Sequence, residues 1–366
     1  MAAPRTTPVR PTPPAAPAAR STARRALAAA APVAALVVLL LFLWTAREVL
    51  LLAFAGVLLA VALRSAAVWV HRYTRLPTGV ALAAVVLTLV GGLVAAFWWR
   101  GASIGEEFRA LRDGLPKAAE ELRGRLAATA WGAPIAEAAG EIPSVEKLLP
   151  DSRTAIGQAT GVVSRTVSAL GSFAIILFLG LVFAASPGPY VRGLLALVPE
   201  RREARARAVL DALTNTLQWW LVGRLISMTV IGVATGVGLA LLGVPLAFLL
   251  GLIAALLSFI PNLGPILSAV PAVLLALVDG PRQALWVVLL YLGIQAVESW
   301  VLDPILDRKT VYLPPAVTVL TQLVLAIFAG LLGAALAAPL AAAGVVLVTM
   351  LYVQDVLGRD VEVPGH

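Results

Sequence analysis

Residues Val244–Val278 read VPLAFLLGLIAALLSFIPNLGPILSAVPAVLLALV, 35 residues without a charged side chain. About 20 helical residues cross a bilayer core, so this run is too long for one span and too short for two full ones. It must be broken, and Ser258-Phe259-Ile260-Pro261-Asn262-Leu263-Gly264-Pro265 carries the break, with two Pro and one Gly within five positions. Proline removes a helix hydrogen bond and its ring meets the carbonyl four residues back, while the residue before it is pushed away from helical backbone. The stretch reads as a helix–turn–helix hairpin, residues 244–278, that enters and leaves on the outer side of a membrane.

The flanks agree. Leu225–Val278 is 54 residues without a charge and Val311–Gln354 another 44. Over the whole chain of 366 residues, 60% are apolar and 13% charged, with mean hydropathy +0.93. An ordinary soluble domain is about 25% charged, so the composition excludes one. There is no Cys, which removes disulfides, thiolate metal sites and cysteine nucleophiles. The two His, His71 and His366, are too far apart in sequence to suggest a ligand pair. No Walker A, HExxH or GxSxG pattern is present, so no enzyme, metal site or cofactor is expected. The net charge of +8 reads as membrane topology rather than nucleic-acid binding.

The predicted architecture is all-α and polytopic, about eight transmembrane helices plus the re-entrant hairpin. Residues 1–25, with five Arg, six Pro and no acid, form a disordered cytoplasmic tail. Residues 26–99 hold helices 1–3 (26–46, 49–70 and 76–99), with Arg64 snorkelling toward His71, Arg72 and Arg75. Residues 100–165 carry nine basic and nine acidic residues and read as a helical extracytoplasmic insert. Helix 4 follows at 166–186. Residues 187–217 form a cytoplasmic amphipathic helix with Ala206, Val209, Leu213 and Leu217 on one stripe. Residues 218–356 are the C-terminal core, including the small-xxx-small pair Gly232 and Gly236 and two crossings within 311–354 that turn near Ala329–Gly333. Residues 357–366 form a cytoplasmic tail.

Four segments, PNLGPILSAVPA (261–272), QAVESWVLDPIL (295–306), LPP (313–315) and AGLLGAALAAPL (329–340), resemble the autoinducer-2 exporter family. The resemblance implies a bacterial permease with about eight spans and a polar insert after the third. It implies transport, either export of a quorum-sensing furanone or sodium or lithium/proton antiport. Pro314-Pro315 stands where a polar residue before the Pro is common in that family.

The candidate pathway follows from the residues. Irregular backbone at membrane depth is tolerated where it lines a cavity or is buried in protein, and half-helix ends there can hold ions or polar solutes. Ser258, Pro261, Asn262, Gly264 and Pro265 therefore form the first group, the alternative being a Pro-kinked structural helix with a satisfied Asn. Gln295 and Glu298 are three apart, share a helix face with Ser299, and form the second, because a proton or cation can neutralise a carboxylate in a membrane. The alternative there is a Glu paired with Arg224 or Arg308. Arg224, Asp303, Pro304, Gly330, Gly333 and Pro339 are secondary candidates, Asp303 with Asp307, Arg308 and Lys309 in a solvated loop and the last three serving close packing and a bend. The expected function is gradient-driven transport of a small polar solute coupled to H+ or Na+. Sodium/proton antiport, or a pore-forming or structural membrane protein, is the alternative. Expected partners are the lipid bilayer, the solute and further copies in a homo-oligomer, with no nucleic acid. The expected place is the bacterial cytoplasmic membrane, with both termini inside.

Overall fold

The computed structural model describes residues 18–127, 157–306 and 314–361, and among these the regular elements are all helical. In chain order they are α1 (Ala18–Thr74), α2 (Thr78–Ala127), α3 (Gly157–Ala185), α4 (Pro187–Leu195), α5 (Glu200–Leu241), α6 (Ala247–Leu257), α7 (Leu263–Asp279), α8 (Pro281–Val297), α9 (Asp303–Leu306) and α10 (Pro315–Leu347). Wider π turns join α8 to α9 over Glu298–Leu302 and extend α10 over Val348–Gln354. Most of the tail 1–25, the insert residues 128–156, the loop with Asp307, Arg308 and Lys309, and residues 362–366 lie outside the described residues.

Contacts divide the chain into residues 1–50 and 51–366. In the first unit, the Arg47 guanidinium stacks 4.9 Å over the Trp44 ring. The second unit holds every buried cluster, and the description below concerns it.

By length and composition, four helices among the described residues can cross a membrane, Leu41–Thr74, Glu200–Leu241, Pro281–Leu306 and Pro315–Gln354, with the pair Leu170–Ala185 and Pro187–Leu195, bent by 84°, as a fifth. Thr78–Gly92, Ala247–Leu257 and Leu263–Asp279 are shorter apolar helices. The partition differs from eight separate spans in three places, each for the same reason. Arg47-Glu48 does not divide α1, Arg100 does not end α2, and the amphipathic segment runs on into the next span as the 42-residue α5. Charged residues with good helix propensity change a helix's solvent, not its backbone. The stripe on α5 is nonetheless buried, since Val209 and Ala212 pack with Ala342, Val346 and Met350.

Close packing builds the core. A Cβ added to Gly232 would lie 2.6 Å from the Ala255 side chain, and one on Gly251 would lie 2.7 Å from Gly236 Cα and 2.8 Å from the Gly232 carbonyl oxygen. The small-xxx-small pair on α5 thus meets a matching Gly–Ala pair on α6, and the two backbones touch. The turn from α6 to α7 occupies Ser258–Asn262, and helix restarts at Leu263. A Cβ on Gly264 would sit 2.0 Å from the Leu257 carbonyl oxygen, so only glycine permits a turn this tight. Helix α10 is broken in the same way at Ala329 (φ −141°, ψ 20°) and Gly330 (φ 62°, ψ −144°). There a Cβ on Gly333 would lie 2.0 Å from the Leu325 carbonyl oxygen, whereas eight residues of straight helix span about 12 Å. Phe259 from the first break and Ala329 and Leu332 from the second pack on one cluster with Leu217, Leu221 and Leu336.

Candidate functional site: two broken helices and a buried ion pair

The first break is a γ-turn. Asn262 has φ 63° and ψ −43°, and the Leu263 N–H donates to the Pro261 carbonyl at 2.7 Å. This positive-φ turn is rare, and Asn is among the few side chains that tolerate it. The Asn262 side chain is exposed and makes no cap, so the signal read from it as a contact residue belongs to its backbone. Ser258 is fully buried and its Oγ donates to the Ala254 carbonyl at 2.5 Å, one turn back in α6. Gly264 and Pro265, expected inside the turn, form the first turn of α7, where a missing Pro N–H is tolerated.

Gln322, on the first limb of α10, was not singled out by sequence. Its Nε2 donates to the Pro261 carbonyl at 2.8 Å, tying α10 to the turn. The residue is 1% exposed, and its Oε1 is buried with no hydrogen-bond partner among the described residues. A buried amide oxygen without a donor costs about 1–3 kcal/mol, so this atom is a ready acceptor for a hydroxyl, a water or a cation. Thr318, one turn earlier on the same face, is also buried. Only the position of Gln322 within the 44-residue charge-free run, seven residues before the second Gly-rich break, could have marked it.

The second group lies one turn along α5. Trp220 stacks edge-on against Phe259 with ring centroids 5.8 Å apart, and Arg224, four residues on, reaches Glu298 at 3.4 Å. Glu298 also accepts from Gln295 Nε2 at 3.0 Å, while Ser299, expected on the same face, is exposed. Glu298 is therefore paired with Arg224, whereas Arg308 lies outside the described residues. The contact is longer than the 2.7–2.9 Å usual for charge-assisted bonds, and Arg224 Nε and Nη2 are buried without partners among the described residues. Asp303 stands within electrostatic reach of Arg224. Gly223, beside Arg224, faces Leu306 at ordinary van der Waals distance.

Glu298 begins the π turn, and the Asp303 N–H bonds five residues back to the Glu298 carbonyl. Pro304 follows directly. A π turn loosens the carbonyl ladder that the proline ring would otherwise strike, so Pro304 continues the helix as α9 rather than ending it. Pro339 is fully buried within the second limb of α10. Gly330 supplies the positive φ of the second break and Gly333 its close approach.

A multi-pass helical membrane protein whose helices are interrupted and whose interruptions carry buried polar groups is the class defined by this fold and site. A family profile described as AI-2E family transporter matches residues 33–352, and the chain belongs to that family. The Escherichia coli protein "AI-2 transport protein TqsA" is 26% identical over 269 residues, 73% of this chain and 76% of its own length. Two Bacillus subtilis proteins, "Putative transport protein YueF" and "Putative transport protein YrrI", are 29% and 31% identical over 143 residues, 39% of this chain. That stretch spans 39% and 40% of the lengths of those two relatives.

Proposed function

We propose that the chain is a gradient-driven carrier of the bacterial cytoplasmic membrane, with both termini inside, that moves a small polar solute in exchange or symport with H+ or Na+. The family supports transport as such. The solute class follows the name borne by the Escherichia coli relative, an AI-2 transport protein, and the proposed working unit is a homo-oligomer. The observation that carries the reading is the Gln322 amide, buried between two helix breaks with its oxygen unused. Interrupted helices of this kind offer polar backbone and side-chain groups at depth without exposing them to lipid. In this reading Ser258, Pro261 and Gln322 hold the solute or ion, and the loose Arg224–Glu298 pair opens when a cation takes its place beside the carboxylate. Gly264, Gly330 and Gly333 let the two breaks move against α5, and the family's transport role supports a carrier rather than an enzyme.

Sealed vesicles carrying the purified protein, with imposed proton or sodium gradients and a panel of small polar solutes that includes autoinducer-2, test this. Flux should saturate with solute and follow one of the two gradients. Gln322→Leu, which keeps the size and removes both polar atoms, should raise the half-saturating concentration about tenfold, the equivalent of one lost buried hydrogen bond. Flux that rises linearly with solute and ignores both gradients would make the protein a pore, and unchanged saturation in Gln322→Leu would make the amide structural.

A further inference from the structure

Away from the two breaks, a cleft of about 810 Å³ opens between α1, the bent α3–α4 elbow and α5. Its walls are apolar, with Val57 and Val61 from α1, Phe183 and Leu194 from the elbow, and Leu210 from α5. One cation, Arg64, lies in the lining, and no Asp or Glu does. The cleft volume falls within the range of small-molecule sites, about 300–1,000 Å³.

Arg64 is not snorkelling alone, as its sequence position suggests. Its Nη1 donates at 3.2 Å to the Ala184 carbonyl, near the C-terminal end of α3 where Ser186-Pro187 ends the helix. Cations are favoured at helix C-termini, and this contact fixes the guanidinium at the elbow. It uses one of the five N–H donors of arginine. The remaining donors and the full charge have no acidic partner among the described residues. The hydroxyls of Ser65 and Thr214, also in the lining, donate to the Val61 and Leu210 carbonyls of their own helices.

We infer that this cleft holds an anionic phospholipid of the bilayer, its phosphate on Arg64 and one acyl chain along Val57, Val61 and Phe183. Three observations meet in that occupant. The apolar walls and the volume suit an acyl chain. The lone guanidinium, with donors in a rigid fork, suits a phosphate. The mouth is lined by exposed leucines, Leu194 at 54% and Leu197 at 82%, in the same lining as the Arg64 guanidinium. Leucines in lipid beside basic residues at the interface are the surroundings of a lipid headgroup, and basic clefts between membrane helices bind such headgroups. The elbow then has a lipid as part of its packing, wedged between α4 and α5.

The test is native mass spectrometry of the full chain purified from vesicles of phosphatidylglycerol and phosphatidylcholine in equal amounts. Wild type should retain phosphatidylglycerol over phosphatidylcholine, and Arg64→Gln should lower that preference at least about fivefold, the weight of one interfacial cation. Arg64→Lys should restore most of it. Ala60→Phe, which fills the wall while leaving the charge, should release both lipids. Arg72→Gln, on the exposed helix end, should leave the preference as it was. Gln retains an N–H for the Ala184 carbonyl, and the thermal midpoint of each variant shows whether the elbow has stayed folded. Equal retention by wild type and Arg64→Gln would overturn the proposal. So would an equal fall in Arg72→Gln, which would mean diffuse surface charge, or the finding that the cleft is occupied by a second copy of the chain or by the transported solute.

Discussion

Arg224 and Glu298 face each other with side chains only 10% and 7% exposed. A buried pair gains little over apolar residues of the same volume, but removing one member strands the other and costs about 3–5 kcal/mol. The two halves are not equivalent here, because Asp303 also acts on Arg224. Arg224→Gln leaves two acids without their cation, whereas Glu298→Gln leaves the cation with Asp303. In detergent-solubilised protein, Arg224→Gln should therefore lower the thermal midpoint more than Glu298→Gln, and the double variant should recover most of the loss. Additive single effects in that double-mutant cycle would show that the 3.4 Å contact carries no coupling. At this scale sequence marked the carboxylate, named its arginine among two partners, and marked Asn262. The residue was chosen for its amide, whereas the fold uses its tolerance of φ 63°. Gln322 escaped because nothing within its own helix distinguishes it; its importance comes from the Pro261 carbonyl, 61 residues away.

Both breaks depend on a glycine that brings two backbone strands of one chain into contact. At Gly264 and at Gly333 an added Cβ would stand 2.0 Å from a main-chain oxygen, of Leu257 and Leu325 respectively. Backbone cannot step aside as a side-chain end can, so the turn must open. Gly264→Ala and Gly333→Ala should each abolish transport and lower the thermal midpoint. Gly293→Ala, within α8 where a Cβ meets nothing within 4 Å, should be neutral or gain about 0.5–1 kcal/mol from helix propensity. If Gly264→Ala melts and transports like the parent, the tight turn is not part of the working protein. The same residues explain what was legible among the elements. Pro and Gly act on the backbone locally, so the breaks near 258–265 and 329–333 can be read directly. The continuity of α1, α2 and α5 could not be read from the charges that interrupt their apolar runs, because charge leaves helical backbone intact. The π turn at Glu298–Leu302 had one faint mark, the proline that follows two residues after it.

Length sets the arrangement of the whole second unit against a bilayer. Helix α5, with 42 residues, is about 63 Å long, twice the roughly 30 Å hydrocarbon core, so about half of it must stand outside. The two ends of the molecule differ in what they carry. At one end the start of α5 packs on the last turns of α10, and Arg205 binds Asp355 at 2.9 Å and the Met350 carbonyl at 2.8 Å. Arg201, Arg202 and Arg207 share that end of α5. At the other, the polar extension of α2 packs through Leu111 against Leu275 and Ala276 of α7 and Val244 of the α5–α6 turn. The insert it belongs to, residues 100–165, has as many acids as bases. The positive-inside rule then predicts the start of α5 in the cytoplasm and the α2 extension outside. The chain lacks cysteine, so single cysteines report on this without background. Both Glu120 and Arg201 are exposed. In intact cells an impermeant thiol reagent should label Glu120→Cys and leave Arg201→Cys untouched until the membrane is permeabilised. The reverse pattern would turn the molecule over. The hairpin formed by α6 and α7 would then enter from the cytoplasm, and Gln322 would be reached from the opposite face to the one argued above.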